Sequence, residues 1–561
     1  MENYTIAENF SLLSKLMDVH GENSFKSKTF AIAAFTIDKL PLQLKDMPQH
    51  EIVLQRGIGE SVAKKINQLL ETSQLDDLIA LLEKTPPTIL EMLKLKGLGP
   101  KKINLIWKEM GIESLGELLY ACHENRLLLF KGFGEKTQKN IQEAIELYQS
   151  NKGRFLFAEV DAVFLLINSY LEKIFSAEKV SVTGTFKSQD PIIDELQFVI
   201  LATNDEIKPK FQTVQPPELL EETKDSLLYK LKTGLQLRIF TGNINMGRRL
   251  FLTSSSPSFI ETFKQKFPAV DLSRCMYKTE EQIFQKAGIS FIPSYLRAST
   301  TIIEKIIHNP TITTIISSDI KGIIHSHSNW SDGVNKIEEM AEALKKSRFE
   351  YLVISDHSKA AFYANGLSEE RILEQHQYID ELNKKLSPFK IFKSIECDIL
   401  NDGSLDYSNS ILSTFDLVIA SIHSNLKMNE EKAMARLQGA LSNPYVTILG
   451  HMTGQLLLSR NGYPVDHKKI IDLCAQNKIV IELNANPRRL DIDWQYIEYA
   501  LEKNVMISIN PDAHSIEGCQ DIKYGVLVAQ KAGLTKEQNL SSYSLQQFEN
   551  FLSERRKQFN L

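Results

Sequence analysis

From residue 1 to about 150, apolar residues recur at spacings of three and four. Phe10, Leu13, Leu16 and Met17 form one stripe, and Phe30, Ile32, Ala33 and Phe35 a second. That period predicts helices, separated by short glycine-containing breaks. Between about 155 and 300 the pattern is mixed, and KVSVTG, LQFVILAT and LQLRIF read as strands among helices. From about 320 onward a short β-branched run, a polar cluster and a helical stretch alternate. This is the pattern of repeated β–α units around parallel strands. The Ser/Thr-rich junction Arg297–Asp319 marks the boundary between the last two parts.

Composition narrows the class. At 561 residues the chain is long enough for three or four domains, and 43% hydrophobic with 24% charged residues is an ordinary globular balance. No apolar run reaches 18 residues, and the N-terminus MENYTIAENF is acidic, so neither a membrane span nor a signal peptide is expected. Five scattered cysteines without a CxxC argue for a reducing, cytoplasmic setting and against a cysteine zinc finger. A net charge of −5 requires that any nucleic-acid contact come from local patches.

Three segments, RGIGESVAKKI, KGLGPKKI and KGFGEKTQKNI, share one design. An apolar residue stands between Gly57 and Gly59, Gly97 and Gly99, or Gly132 and Gly134, and a lysine-bearing helix follows. Glycine lets the turn approach a ligand closely, and the free N–H groups of the next helix start can hold a phosphate oxygen. Lys64, Lys101, Lys102 and Lys136 stand where they add charge. A glycine-capped αα-hairpin would explain one copy; three copies, 40 and 35 residues apart, point to backbone binding. The segments resemble the helix-hairpin-helix motif, which grips the DNA backbone without reading sequence. Residues 1–150 hold 18 basic and 20 acidic side chains, so such binding is expected to be modest and salt-sensitive.

Val19–Ile37 resembles the start of the small N-terminal domain of X-family DNA polymerases, and GISFIPSYLR (Gly288–Arg297) resembles that family's linking signature. The resemblance implies a palm with a Gly-Ser loop, an Asp-x-Asp pair and a third Asp, which together hold two metal ions. At those places this sequence has Gly184-Thr185-Phe186-Lys187-Ser188, Glu195-Leu196-Gln197 and Gln236. LTSSSPSF (Leu252–Phe259) also departs from the family's nucleotide-binding Thr-Gly-Ser stretch. One carboxylate is too few for two divalent cations, so the expectation is a polymerase fold without polymerase chemistry. A shifted register that used Asp190 and Asp194 is the competing reading.

Nine of the twelve histidines lie beyond residue 300, and most end β-rich runs. KGIIHSHSNWSDG carries His325, His327 and Asp332; EYLVISDHS carries Asp356 and His357; FKIFKSIECDI carries Glu396. DLVIASIHS carries His423, VTILGHMTG carries His451, and VMISINPDAHS carries Asp512 and His514. In an α/β barrel, the C-terminal ends of strands converge on one face. In His-x-His both rings point to the same side of an extended segment. Isolated histidines often satisfy core hydrogen bonds, but six strand ends in order do not arise that way; His308, His376 and His467 lack this context and are expected to be surface or core residues. Imidazoles mixed with carboxylates suit zinc, manganese or iron, and the donors exceed what one tetrahedral ion needs, so two or three ions are expected.

The order and spacing resemble the PHP (polymerase and histidinol phosphatase) domain, from about Asp319 to Leu534. That resemblance implies metal ligands at His325, His327, Asp332, His357, Glu396, His423, His451, Asp512 and His514. Met452, Gln455 and Asn510-Pro511 depart from the usual pattern. It also implies phosphoester hydrolysis by a metal-activated water, helped by a cation for which Arg460 and Arg488 are the first candidates and Lys359 and Arg489 further ones.

The whole chain resembles a bacterial X-family DNA polymerase fused to a PHP domain. The expected fold is multidomain: a helical helix-hairpin-helix region, an α+β nucleotidyltransferase-like palm/thumb, and a C-terminal α/β PHP barrel of distorted TIM type. The expected bounds are 1–80, 81–152, 153–300 and 318–561. The resemblance implies a 3′–5′ exonuclease or 3′-end-processing nuclease in DNA repair, with gapped, nicked or 3′-ended duplex as partner and no membrane. A gap-filling polymerase with a noncanonical metal site, a non-catalytic DNA-binding scaffold and a small-molecule phosphatase are the other readings.

Overall fold

The computed structural model describes residues 1–40, 42–55, 57–211, 216–242, 245–273, 276–311 and 313–561. The chain forms two compact units, Met1–Lys152 and Gly153–Leu561. Of the five cysteines, Cys275 lies outside the described residues, and Cys122, Cys397, Cys474 and Cys519 are buried and free.

The first unit is helical. Its first helix, Asn3–His20, buries Ile6, Phe10, Leu13 and Met17. The second, Ser24–Asp38, starts at Asn23, whose side chain accepts from the N–H groups of Phe25 and Lys26. Here the structure corrects the expected stripe. Phe30, Ala33, Ala34 and Ile37 face the core, whereas Ile32 is 60% and Phe35 66% exposed. The segment is apolar nearly all round, and the i, i+3, i+4, i+7 set that begins at Phe30 is the one that packs.

Each glycine pair forms a turn into a helix. Gly57 lies at φ +84°, and Gly97 and Gly132 repeat that conformation. Gly59, Gly99 and Gly134 precede helices Glu60–Thr72, Pro100–Asn104 and Glu135–Asn151. The apolar residues between the pairs, Ile58, Leu98 and Phe133, are buried plugs that fix each hairpin to the helices beneath.

The second unit holds two large sheets and a two-stranded one that pairs Phe155–Leu156 with Ile192–Ile193. A five-stranded sheet runs Val180–Thr183, Glu195–Ile200, Gln236–Thr241, Ser226–Lys230, Glu218–Thr223 in spatial order; Glu195–Ile200 and Gln236–Thr241 are parallel and the other pairs antiparallel. Seven parallel strands follow in sequence order: Gly322–Ser326, Tyr351–Ile354, Lys390–Asp398, Leu417–Ser421, Val446–Leu449, Val480–Asn484 and Ile507–Asn510. Most of their residues are buried on both faces, as expected where helices cover a parallel sheet. Ala513 bridges back to Ser326, with His327 N–H donating to Ala513 O at 2.7 Å, and brings the last strand beside the first. The sheet thereby curls into a nearly closed barrel.

The two sheets share one hydrophobic cluster that runs from Phe157, Leu196 and Leu237 to Ile323, Leu352 and Val528. Lys531, buried on the barrel side, donates to Ser188 O and Asp190 Oδ1, both at 2.7 Å. Among the described residues no helix is long and apolar enough to cross a membrane.

Candidate metal centre

The seven strands deliver their terminal side chains to one cup. His325 is next to last in the first strand and His327 follows it; Glu396 lies two residues before the end of the third, and His423 and His451 follow the fourth and fifth. Asp512 and His514 come after the last strand, and His357 after the second. His325 (φ +62°) and Asp512 (φ +52°) both occupy the left-handed region, where non-glycine backbone costs about 1–3 kcal/mol and tends to mark functional sites.

The donors form three overlapping groups, each with atoms within 4.8 Å of one another. They are His327, Asp332, His357 and His514; His325, His327 and Asp512; and His357, Glu396 and His423. Glu396 is the hub. Its oxygens lie 2.8 Å from His451 Nε2, 3.1 Å from His423 Nε2, 3.0 Å from His357 Nδ1, 3.3 Å from His325 Nε2 and 3.6 Å from His327 Nε2. Asp332 lies 3.5 Å from His514 Nε2 and 3.7 Å from His357 Nε2. Bonds of about 2.0–2.2 Å to one tetrahedral ion set neighbouring donors roughly 3.4 Å apart, so this spacing suits divalent cations between the side chains. His325, Glu396 and His451 form the buried floor, and Asp332 and His514 stand at the more open mouth.

Unmatched atoms support the same reading. His325 Nε2, His327 Nδ1, His357 Nδ1 and Glu396 Oε2 are buried and make no hydrogen bond among the described residues. A buried polar atom left unpaired costs about 1–3 kcal/mol, so several together at one cup need a missing partner. The residues fit a set of divalent ions.

A second ring orients the first. Glu482 accepts from His325 Nδ1 at 2.6 Å, and also from the Asn510 and Asn484 side chains and the His451 N–H. Asp398 accepts from His423 Nδ1 at 3.2 Å. Holding one ring nitrogen this way fixes the tautomer and aims the other into the centre. Sequence reading passed over both carboxylates. The signal was present, since Asp398 follows Glu396 at the i, i+2 spacing that places both on one strand face.

Asp356 lies outside the three groups. It is fully buried and accepts from Ser328, Ser331 and Gln375, so it fastens the loop that carries Asp332. The cationic candidates divide. Arg489 Nε lies 3.5 Å from Asp512 Oδ2. Arg488 is exposed, and Arg460 donates to Gly454 O at 2.7 Å. Lys359 pairs with Glu369 at 3.4 Å. Of the four candidates, Arg489 is therefore the one whose side chain reaches the cup. Gln455 donates to Arg489 O, and Met452 is buried.

Histidines outside the series lie apart from the three donor groups. His376 packs edge-on against Phe415, His467 stacks on Tyr496 at 4.0 Å, and His308 bonds Glu304 O. In the first unit, Lys64, Lys101 and Lys136 are exposed, while Lys102 is half-buried and lies over the Phe133 ring.

In the five-stranded sheet, Glu195 is bound to Arg238 through two hydrogen bonds of 2.7 and 2.9 Å, and Gln197 donates to Glu195 as well. Gln236 sits in register beside Glu195. Asp190 is held by Lys531 and Asp194 by Arg154.

Electrostatics in the cup are strongly coupled. Burial alone would depress His423, yet Glu396 and Asp398 raise it to about 10. Burial likewise opposes the rise of His514 to about 9, which Asp332 and Asp512 impose. Glu396 is held well below its ordinary range by His423, His325 and His357, against the opposite pull of burial. Raised histidines stabilise the metal-free fold fully below an unfolded value of about 6.5, and that contribution is lost as pH climbs through 9 and 10. Metal must displace those protons, so its binding strengthens over the same range. The melting-temperature gap between manganese-loaded and chelated protein is therefore expected to widen from pH 6.5 to 8.5. Thermal melts with and without chelator check this, and a gap that narrows contradicts the assignment.

Comparison with known proteins fits this layout. A "Helix-hairpin-helix domain" model matches residues 1–75, a "SAM-like Helix-hairpin-helix tandem" model matches 89–146, and a "PHP domain" model matches 324–486. The Bacillus subtilis (strain 168) protein named DNA polymerase/3′-5′ exonuclease PolX is 31% identical over 557 residues, 96% of each chain. A probable phosphatase of Thermoanaerobacter sp. (strain X514) is 27% identical over 166 residues, 28% of this chain and 65% of its own. Another, from Caldanaerobacter subterraneus subsp. tengcongensis, is 25% identical over 184 residues, 31% of this chain and 70% of its own.

Proposed function

From the premise that this chain belongs to the family of bacterial X-family DNA polymerases joined to a PHP domain, we propose that it is a metal-dependent DNA 3′–5′ exonuclease whose polymerase site is lost. The observation that carries the reading is the cup in which Glu396 touches five imidazoles. His327, Asp332, His357 and His514 would hold one ion. His325, His327 and Asp512, and His357, Glu396 and His423, would hold others, giving two or three in all. Such ions supply hydroxide from bound water at neutral pH and neutralise phosphate oxygens. Glu482 and Asp398 keep His325 and His423 in the required tautomer. Arg489 offers a fork to the phosphate that enters beside Asp512. The three glycine hairpins, with Lys64, Lys101, Lys102 and Lys136, hold the backbone of the duplex, which explains recognition without sequence.

Loss of polymerase chemistry rests on charge. Glu195 already has a cation, Arg238, and the neighbouring positions are Gln197 and Gln236. A metal entering there would meet one neutralised carboxylate.

The test uses gapped duplex labelled at the 5′ end of the strand to be degraded. With manganese, the full chain is expected to shorten that strand from its 3′ end. The His325→Ala/His327→Ala variant leaves it intact, and neither protein extends it when nucleotides are added. Extension by the wild type, or shortening by the double variant, would overturn the reading.

A further inference from the structure

The loop that follows His357 is fastened along its length yet bare at its tip. Ser358 bridges to Leu367, and Leu367 N–H donates to His357 O at 2.9 Å, so the loop leaves the centre and returns to it. Lys359 N–H donates to the Tyr407 hydroxyl at 3.0 Å and Ala360 N–H to Asp406 Oδ2 at 2.6 Å. On the return limb, the Asn365 side chain donates to Trp330 O, and Arg371 donates to Asn365 O. Any side chain at Gly366 would start 1.9 Å from Ser358 O, so the neck is closed tightly. Between these anchors Phe362 is 86% and Tyr363 65% exposed. Their rings are 5.9 Å apart and inclined at 78°. Neither packs into a core cluster.

A globular fold gains by covering aromatic rings, and a rigid loop that holds two of them in water gains nothing for its own stability. Their position gives them an employment. The loop that carries Tyr363 begins and ends at His357, a donor of the centre; partial burial and the charges of Asp398, Glu396 and Asp332 push the Tyr363 hydroxyl up to about 12. Phe362 stands beside it, farther into solvent. Lys359, half exposed at the start of the loop, adds a cation that a backbone phosphate can use. The tip is too small for a protein-docking patch, and its rings ride on a loop whose two limbs meet at His357 of the centre.

We propose that Phe362 and Tyr363 form a stacking platform for the unpaired terminal nucleobases of the DNA strand whose 3′ phosphodiester enters the metal centre, an inference that rests on the nuclease reading above. Aromatic stacking suits this task because every base offers a π-face, so the grip is independent of sequence, as digestion of arbitrary ends requires. Phe362, the more exposed ring, presents its face to the base, and Tyr363 stands edge-on beside it. Each stacked base strengthens binding by roughly tenfold or more.

The experiment measures KM and kcat of the manganese-loaded full chain on two single strands of equal length. One ends in ordinary nucleotides, and the other carries tetrahydrofuran abasic residues at its last two 3′ positions. The wild type is expected to show a KM on the base-free end about tenfold higher than on the ordinary end. Phe362→Ala and Tyr363→Ala raise KM only on the ordinary end, and Phe362→Trp restores it. Equal KM for both strands in the wild type, or variants that impair both strands alike, would overturn the platform while leaving the nuclease reading intact. No digestion of either strand by the wild type would remove both.

Discussion

Glu396→Gln is expected to lower manganese-dependent DNA hydrolysis by roughly a thousandfold. Lost transition-state stabilisation of several kcal/mol, at about 1.4 kcal/mol per factor of ten, gives that figure. Glutamine keeps the volume and one carbonyl oxygen, so the buried floor need not collapse. What it lacks is charge. Glu396 is fully buried, lies within 3.6 Å of five histidines and is the anion against which their charges are balanced. A neutral amide presents an N–H₂ group to one or more of those imidazoles, which is repulsive toward a cation and wrong for a ring nitrogen that must donate a lone pair. Bound metal, measured by elemental analysis after gel filtration, falls together with activity, whereas the far-ultraviolet dichroism stays that of the wild type. Full metal content with full activity in Glu396→Gln would mean that the hub is structural.

This residue was also among those legible from the amino-acid order. The barrel strands are short, nearly continuous apolar runs, and a His, Asp or Glu at the end of each stands out against them. Period two then settles which neighbours share a face. The same logic reaches Asp398, but a carboxylate that supports another residue carries no signature of its own. Glu482 is hidden similarly, inside IELNAN, and only the meeting of distant strands reveals that His325 leans on it. Arg488 and Arg489 are adjacent in a turn without periodicity, so only coordinates separate the exposed one from the one at Asp512. In the helix Ser24–Asp38 the difficulty is the reverse: too many apolar residues allow two faces, and packing selects one. The Glu195–Arg238 pair spans 43 positions and depends on two parallel strands lying in register. No local pattern encodes it.

Arg297→Met is expected to destabilise the second unit by about 3–5 kcal/mol, the range for breaking a buried ion pair by removing one partner. Arg297 is 0% exposed, donates to Glu280 Oε1 at 2.5 Å and to Ile292 O at 2.7 Å, and lies 5.0–5.4 Å from the ring centres of Phe251, Phe284 and Phe291. Methionine fills much of the slot between the rings but leaves Glu280, itself buried, with Lys187 as its remaining cationic partner. Adding Glu280→Leu removes the stranded charge and should return much of the loss, since Lys187 is part-exposed and can turn to water. Urea and calorimetric unfolding of the single and double variants measure both steps. A loss below about 1 kcal/mol for Arg297→Met would show that the pair is well solvated after all. The result bears on why this part of the chain persists. Arg297 closes the GISFIPSYLR stretch, and its partners come from Glu280 and the aromatic cluster, not from the altered positions Glu195, Gln197 and Gln236. The residues that build this part of the fold therefore form a separate set from Glu195, Gln197 and Gln236, so the second set can vary without unfolding the first. The five-stranded sheet also has a mechanical use: its loop at Ser188 and Asp190 receives Lys531 from the barrel, and one hydrophobic cluster runs through both.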